Sequence, residues 1–275
     1  MKEKISITIN KKTLEEINNI IDNVYIRNRS QAIEFLVKKA LGENKVAVIL
    51  SGGPEEHLKI SKGVFRITAK INSSSVIELA IQKLRENGFK TIYIVGRHNI
   101  ITEVFKIVQN GSKFGVDVNY IEEEKSSGTG DSLKLLKGKI DSTFLVVYGD
   151  LIFNQVNLDE LWNTHLKKKG ISTLLLTTTP DPNKKGIVKI EGSRILEFEQ
   201  KPTDSDIYLG FSSIFVTQPE LMEYKGSSLE KNIFPVLAKK NLLNGHLSAN
   251  KEIHIHNKED IKKEEKNISK LIKHK

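Results

Sequence analysis

The chain contains no cysteine among its 275 residues. This absence excludes disulfides, thiolate metal sites and cysteine nucleophiles, and it fits a reducing compartment. No apolar run approaches the roughly 20 residues that a membrane-spanning helix needs. The first ten residues alternate polar and apolar side chains, which is not the pattern of a signal peptide. We therefore expect a soluble, cytoplasmic protein that does not associate with membranes.

The positive charge of the chain says little about its fold but favours an anionic partner. The formal net charge is +9 and the pI is near 9.4, as suits binding to nucleic acid or to a phosphorylated metabolite. The length favours two domains, and the pattern changes at Lys45. We therefore predict domains at residues 1–44 and 45–275, with the excess charge mainly in the second.

The first domain has the pattern of one strand followed by two helices. Residues 4–10 alternate strictly and place three isoleucines on one face. Thr13, with a glutamate three residues later, predicts the start of a helix that extends to Val24. Ser30 is a favourable N-cap for a second helix that ends at Gly42. A lone strand with an apolar face needs a partner strand, so we expect a homodimer through this domain.

The segments KISITIN, TLEEINNIID and RSQAIEFLVKKAL resemble the ribbon-helix-helix (CopG-like) family of DNA-binding regulators. In such proteins a two-stranded ribbon enters the major groove of double-stranded DNA. The resemblance implies that Lys4, Ser6 and Thr8 read the bases and that the backbone at Arg29 and Ser30 holds a phosphate. The alternative is a dimerisation arm whose polar strand face binds nothing.

The second domain alternates strands and helices. The pattern predicts strands at residues 46–50, 91–96, 116–121, 143–148 and 171–178, and helices at 75–87, 100–109, 158–168 and after Gly128. Such βαβ units build a Rossmann-like open α/β sheet.

Ligands of open α/β sheets lie beyond the carboxyl ends of the strands. Three short motifs stand at such ends: SGG at 51–53, GTG at 128–130 and YGD at 148–150. Paired glycines suit either a tight turn or a phosphate-binding loop. Asp150 suits either a turn cap or a ligand that holds Mg²⁺ against phosphates.

Five segments resemble, in order, the nucleotidyltransferases that join a nucleoside triphosphate to a sugar phosphate and release pyrophosphate. They are KVAVILSGG, SSGTGDSLKLL, VVYGDLIFNQVNLDELWNTH, GIVKIEGSRILEFEQKP and YLGFSSIFVTQPELM, and the resemblance extends from Lys45 to Ile261. It implies that Asp150 binds the metal, with Mg²⁺ expected, and that Lys201 contacts the sugar phosphate. It also implies that the nucleotide or nucleotide sugar is bound by Gly52, Gly53, Gly128 and Thr129.

The catalytic loop departs from that family, whose Gly-Gly-x-Gly-Thr-Arg-Leu is followed by a Pro-Lys. Here the loop is GGPEEHL, which places Glu55, Glu56 and His57 at the Gly, Thr and Arg positions. Carboxylates facing a triphosphate would repel it. The Pro-Lys position falls near Arg66, and the candidate replacements for its cation are Lys62, Arg66 and Lys70.

The later motifs also differ. Gln200 replaces the Glu of the family's Glu-Lys-Pro, and His254 stands at the position of the second metal-binding Asp. His254 and His256 alternate along a predicted strand and share one face. Because two ligands are too few for a metal site, we expect surface or interface histidines. Residues 258–275 predict an exposed, basic, amphipathic helix.

These observations lead to three hypotheses. The first is a DNA-binding transcription regulator whose degenerate second domain binds a nucleotide or nucleotide sugar without turnover. The alternative is an active sugar-phosphate nucleotidyltransferase with an appended dimerisation domain. The third is a scaffold that binds neither. No catalytic residue is assigned, because the loop arginine, the Pro-Lys and the second metal aspartate are not matched.

Overall fold

A computed structural model describes residues 5–22, 26–41, 45–125 and 127–273 of the chain. It contains two compact units, Met1–Asn44 and Lys45–Lys275, which are described separately below. Within the described part of the chain, no helix has the length and apolar character needed to cross a membrane.

The first unit contains the helices α1 (Lys11–Asn19) and α2 (Arg29–Leu41). Asn10 caps α1, since its side chain accepts a hydrogen bond from the backbone N–H of Thr13 at 2.8 Å. Asn28 accepts from the N–H of Gln31 at 3.0 Å at the start of α2. The predicted caps, Thr13 and Ser30, lie three and two residues after the asparagines that accept these hydrogen bonds. Asparagine is as good an N-cap residue as serine or threonine.

The strand predicted at residues 4–10 is absent from its described part, residues 5–10, which form neither strand nor helix. Ile5 and Ile7 are 76% and 53% exposed. A strand is stable only when a neighbour pairs with its backbone, and the described residues of this single chain supply none. A ribbon-helix-helix domain is therefore not shown. Val24 and Gly42, the predicted helix ends, lie outside the described residues.

The second unit alternates strands and helices, as the sequence predicts. Its strands are β1 (Lys45–Ser51), β2 (Lys59–Ser61), β3 (Val64–Phe65), β4 (Lys70–Ile71), β5 (Ser74–Ser75), β6 (Phe89–Gly96), β7 (Asp117–Glu122), β8 (Phe144–Tyr148), β9 (Leu151–Ile152), β10 (Ser172–Thr178), β11 (Gly186–Glu191), β12 (Arg194–Gln200), β13 (Leu209–Thr217), β14 (Leu243–Leu247) and β15 (Ile253–His254). Its helices are α3 (Glu55–Leu58), α4 (Val76–Glu86), α5 (His98–Val108), α6 (Thr129–Lys134), α7 (Leu158–Lys167), α8 (Phe234–Lys239) and α9 (Lys258–Lys273).

Nine of these strands form one mixed sheet in the order β10-β14-β12-β11-β13-β8-β1-β6-β7. β1 is parallel to β6 and β8, and β6 is parallel to β7, which gives the predicted α/β arrangement. β13 is antiparallel to β8, so the sheet is not parallel throughout. β10 also pairs with β13, and five strands thereby form a closed ring of pairings.

Apolar side chains cover both faces of this sheet. One face packs against α4, α5 and α7. The other packs against α6 and α8 and contains a cluster of edge-to-face aromatic rings formed by Phe198, Phe211, Phe215 and Phe234. The sheet is therefore buried on both sides, and its polar ligand-binding surface is confined to the strand ends.

His165 on α7 makes stability depend on pH. It is 2% exposed, its Nδ1 lies 2.9 Å from Thr173 Oγ1, and Gln218 Nε2 lies 2.9 Å from its Nε2. Desolvation lowers the pKa of His165 from 6.5 to about 4. Between those two values the unfolded chain binds a proton that the folded chain does not. The free energy of unfolding should therefore fall as the pH decreases through this window, by up to about 1.4 kcal/mol per pH unit.

Urea denaturation at several pH values checks this expectation. His165→Gln should have a flatter acid limb than the wild type, because an uncharged amide binds no proton. His98→Gln is the matched control, since the side chain of His98 is 73% exposed. Equal slopes for the wild type and His165→Gln would contradict the assignment.

Candidate functional site

A cavity of about 180 Å³ opens at the carboxyl ends of β1 and β8. Gly52, Gly53, Gly128, Thr129 and Asp150, predicted from five scattered positions, all line it. Its other lining residues include Leu58, Arg66, Ser132 and Tyr148. The structure thus brings together all of the predicted nucleotide-site residues except Lys201.

Two of the glycines are required by close contacts. A Cβ atom at Gly52 would lie 2.5 Å from Glu123 Oε2, and one at Gly128 would lie 2.7 Å from the backbone oxygen of Ser227. Any larger residue would push these groups apart. Both glycines therefore allow the loops of the cavity wall to pack closely against Glu123 and Ser227.

Glu123, directly after β7, supports the glycine loop from behind and was missed in the sequence. It is 1% exposed and accepts hydrogen bonds from the backbone N–H of Gly53 at 2.8 Å and from Ser132 Oγ. Arg97 Nε lies 3.7 Å from its carboxylate. Glu123 lies at the end of a predicted strand and in a run of three glutamates, and this pattern could have identified it as a candidate site residue.

Arg66 supplies the positive charge of this cavity. Its Nη1 lies 3.2 Å from Asp150 Oδ2, and the side chain is 22% exposed. Lys62 and Lys70 are exposed and do not line the cavity. Among the three candidate replacements for the family's Pro-Lys cation, the geometry therefore selects Arg66.

The carboxylates of Glu55 and Glu56, in the loop GGPEEHL, do not face the cavity, contrary to expectation. Glu55 accepts hydrogen bonds from Asn99 Nδ2 at 3.0 and 3.1 Å and lies 3.7 Å from Lys59 Nζ. Glu56 and His57 are exposed, and none of the three loop residues lines the cavity. The predicted repulsion of a triphosphate is thus relieved by the turn of α3.

A second, larger cavity of about 470 Å³ adjoins the first, and Tyr148 and Asp150 line both. Its wall is rich in lysine: Lys184, Lys185, Lys201 and Lys251. The backbone of Lys201 has a φ of +52°, an uncommon conformation that a hydrogen bond from its N–H to Lys185 O at 2.9 Å helps to hold. Lys201 is therefore held at the second cavity rather than the first.

Tyr148 lies where the two cavities meet. Its hydroxyl donates to Glu230, which also accepts a hydrogen bond from Thr129 Oγ1 at 2.7 Å. Desolvation, reinforced by the negative charge of Glu230, raises the pKa of Tyr148 well above its usual value. Tyr148 is therefore a neutral hydrogen-bonding group at neutral pH.

His254, which is partly buried, and His256, which is exposed, both lie beside Asp150. One donor atom from each of these three residues lies within 4.8 Å of the other two. Magnesium prefers oxygen ligands, and this set offers one carboxylate and two imidazoles. The residues therefore do not match the Mg²⁺ site that the resemblance implies.

The chain is similar to proteins that are named as sugar-phosphate nucleotidyltransferases. It is 23% identical over 197 residues to a putative mannose-1-phosphate guanyltransferase of Sulfolobus acidocaldarius, covering 70% of this chain and 54% of that protein. It is 25% identical over 206 residues to the mannose-1-phosphate guanyltransferase of Saccharomyces cerevisiae, covering 71% and 57%. The chain thus spans about half the length of these curated relatives.

Among solved structures, the fold resembles that of a putative glucose-1-phosphate thymidylyltransferase from Bacillus anthracis in complex with a sucrose. The TM-score is 0.73 at 20% identity, and the match covers 81% of this chain and 94% of the other. This likeness establishes an α/β nucleotidyltransferase fold.

The interpretation as a DNA-binding transcription regulator is wrong. The proteins to which the chain is similar are named as guanyltransferases, not as DNA-binding regulators. Lys4 lies outside the described residues, Ser6 and Thr8 lie in a segment without a strand, and Ser30 is an exposed residue of α2. The side chain of Arg29 donates to Asn18 Oδ1 at 2.8 Å. No DNA-reading ribbon is formed by the described residues.

Residues 46–266 match the nucleotidyl transferase family, which is most of the chain and nearly all of its second unit. The residues that line the two cavities, including Asp150, all lie within this matched range. The chain therefore belongs to the nucleotidyl transferase family.

Proposed function

We propose that the protein is a sugar-1-phosphate nucleotidyltransferase, which forms a nucleoside diphosphate sugar and pyrophosphate from a nucleoside triphosphate and a sugar 1-phosphate. The observation that carries this proposal is the junction of two cavities at Asp150 and Tyr148. One cavity has a glycine loop and an arginine, and the other has four lysines. Two anionic substrates bound side by side would meet at this junction.

In this reaction an oxygen of the sugar phosphate attacks the α-phosphorus of the triphosphate. A new P–O bond forms, the bond from the α-phosphorus to the β-phosphate oxygen breaks, and pyrophosphate leaves with the electron pair. Negative charge on the phosphate oxygens is the main obstacle, so positioning and fixed positive charge supply most of the catalysis. In this proposal Arg66 neutralises that charge and Lys201 holds the sugar phosphate.

The glycine loop holds the nucleotide in this proposal. Gly52 and Gly53 allow a phosphate or base to approach the backbone, and Gly128 and Thr129 form the opposite wall. Glu123 fixes the loop through the N–H of Gly53. The nucleotide pocket is thereby formed before a ligand binds.

The names of the similar proteins guide the choice of substrates. Two of the relatives are named as mannose-1-phosphate guanyltransferases, so GTP with mannose 1-phosphate is the first pair to test. The similar solved structure is that of a putative glucose-1-phosphate thymidylyltransferase, which makes dTTP with glucose 1-phosphate the second pair.

Pyrophosphate release by the purified full-length protein tests the proposal, with each substrate omitted in turn. We expect release only when both substrates are present. Lys201→Met should raise the KM for the sugar phosphate about tenfold or more, because a contact between charged groups is lost, while the KM for the triphosphate is unchanged. Lys90→Met, an exposed lysine outside both cavities, is the control.

The opposite result would be nucleotide binding, detected by thermal stabilisation, without pyrophosphate from any substrate pair. The protein would then be a binding protein rather than an enzyme. The homodimer through residues 1–44 and the separation of the chain into domains at residue 44 stay predictions, which sedimentation and limited proteolysis would test.

A further inference from the structure

We propose that Asp150, His254 and His256 form a binding site for a first-row transition metal ion, in preference to Mg²⁺. This inference rests on the proposed function and concerns which metal ion the nucleotidyl-transfer site binds. Binding of the metal alone tests it, without substrates.

The backbone brings the three ligands together. Asp150 precedes β9, and His254 ends β15, which is antiparallel to β9 and pairs His254 with Leu151. The N–H of Ile255 donates to the backbone oxygen of Asp150 at 2.9 Å. His256 follows two residues after His254 and therefore lies on the same side, with the two rings stacked 5.4 Å apart. The donor atoms are thus positioned by strand pairing and not by the metal.

A buried carboxylate orients one of the imidazoles. Glu252 has no exposed side-chain surface, and its Oε1 lies 3.2 Å from His254 Nε2 and also accepts from Lys185. A carboxylate behind an imidazole holds the proton on the near nitrogen and leaves the other nitrogen free to bind a metal. Here the free nitrogen of His254 is Nδ1. Metal-binding histidines in proteins almost always have such a partner.

The ligand types decide which metal fits. Imidazole nitrogens suit zinc, cobalt, nickel, copper and iron, whereas Mg²⁺ demands near-octahedral oxygen ligands and keeps several waters. His254 stands where the resembled family has its second metal-binding aspartate. Replacing that oxygen ligand with nitrogen, and adding His256 beside it, should reverse the usual preference for Mg²⁺.

Arg66 is the group with which the metal must compete. Its Nη1 lies 3.2 Å from Asp150 Oδ2, and His256 Nδ1 lies 3.5 Å from the same oxygen. A divalent ion bound to Asp150 would repel the guanidinium and turn it toward the small cavity, which Arg66 also lines. Metal binding and the availability of Arg66 for a phosphate would then be linked.

Titration of the chelator-treated, full-length protein with Co²⁺ tests the site, because nitrogen ligation gives visible absorption bands. We expect one Co²⁺ per chain and little displacement by excess Mg²⁺. His254→Ala and His256→Ala should each weaken Co²⁺ binding by about tenfold or more, and Glu252→Gln by about 10–100-fold through loss of orientation. His98→Ala, a histidine outside the site, should bind as the wild type does.

A second variant keeps the test independent of folding. His254→Asp restores a carboxylate at this position and should move the preference toward Mg²⁺, and thermal unfolding in chelator shows whether each variant is folded. Displacement of Co²⁺ by an equal concentration of Mg²⁺, or unchanged Co²⁺ binding in folded His254→Ala and His256→Ala, would overturn the proposal. Co²⁺ binding by a protein that releases no pyrophosphate would refute the proposed function but leave this site standing.

Discussion

Arg66→Met is expected to lower kcat/KM for pyrophosphate release by about 10²–10³-fold, the usual cost of losing one preorganised charge-stabilising donor. Arg66 lines the small cavity, and it is the cation that contacts Asp150 at the junction with the second cavity. A methionine keeps most of the packing volume and removes the charge. Steady-state kinetics with both substrates varied measure the effect.

Two variants on the same segment control this experiment. Lys62→Met removes an exposed lysine that does not line the cavity, and its activity should match the wild type. Arg66→Lys should retain part of the activity, since the resembled family carries a lysine near this position. If Arg66→Met is as active as the wild type, Arg66 does not act on the reacting phosphates.

Phe234→Ala is expected to lower the free energy of unfolding by about 3–5 kcal/mol, the range for truncating a buried aromatic ring. The ring has no exposed surface and lies 5.3–5.5 Å from the centres of the Phe198, Phe211 and Phe215 rings. The substitution would remove three edge-to-face contacts and leave a cavity walled by the three remaining rings.

Urea denaturation measures this loss, with Tyr208→Ala as the matched aromatic control. Tyr208 is 57% exposed, and surface substitutions of this kind usually change stability by less than about 0.5 kcal/mol. Equal losses for the two variants would mean that the aromatic cluster is not a principal source of stability.

Local patterns were enough to predict the elements around the small cavity. The apolar run of β1, the helix predicted at residues 75–87 and the strand before Asp150 each follow from residues near one another in the chain. Because parallel strands end at one edge of a sheet, their loops were expected to meet, and Gly52 and Gly128 do line one cavity.

The parts that were missed depend on contacts between distant segments. The approach of His254 to Asp150 results from the pairing of β15 with β9, and the alternation of His254 and His256 does not reveal which strand pairs with theirs. The contact of Arg66 with Asp150 and the hydrogen bond of Glu55 with Asn99 depend on the path of the chain between residues 55 and 66. The strand predicted at residues 4–10 has the right alternation, but the described part of the chain supplies no neighbour that pairs with residues 5–10.

The functional error has the same origin. Compared with the family pattern position by position, the loop GGPEEHL favours the loss of an active site. In the fold, Arg66 from the following segment lines the cavity, whereas Glu55 and Glu56 do not. Loss of a motif residue is thus weak evidence for loss of activity until the replacement is located in space.

The pairing of β10 with both β14 and β13 leaves the large sheet with one open edge in the described residues, at β7. An open edge invites strand addition by another molecule, which is a common route to aggregation. Symmetric antiparallel pairing of two copies through β7 would set Asp117 of each opposite Glu122 of the other. Like charges at directly opposed positions destabilise a strand pair. Asp117 and Glu122 therefore disfavour the pairing of two copies at the open edge formed by β7.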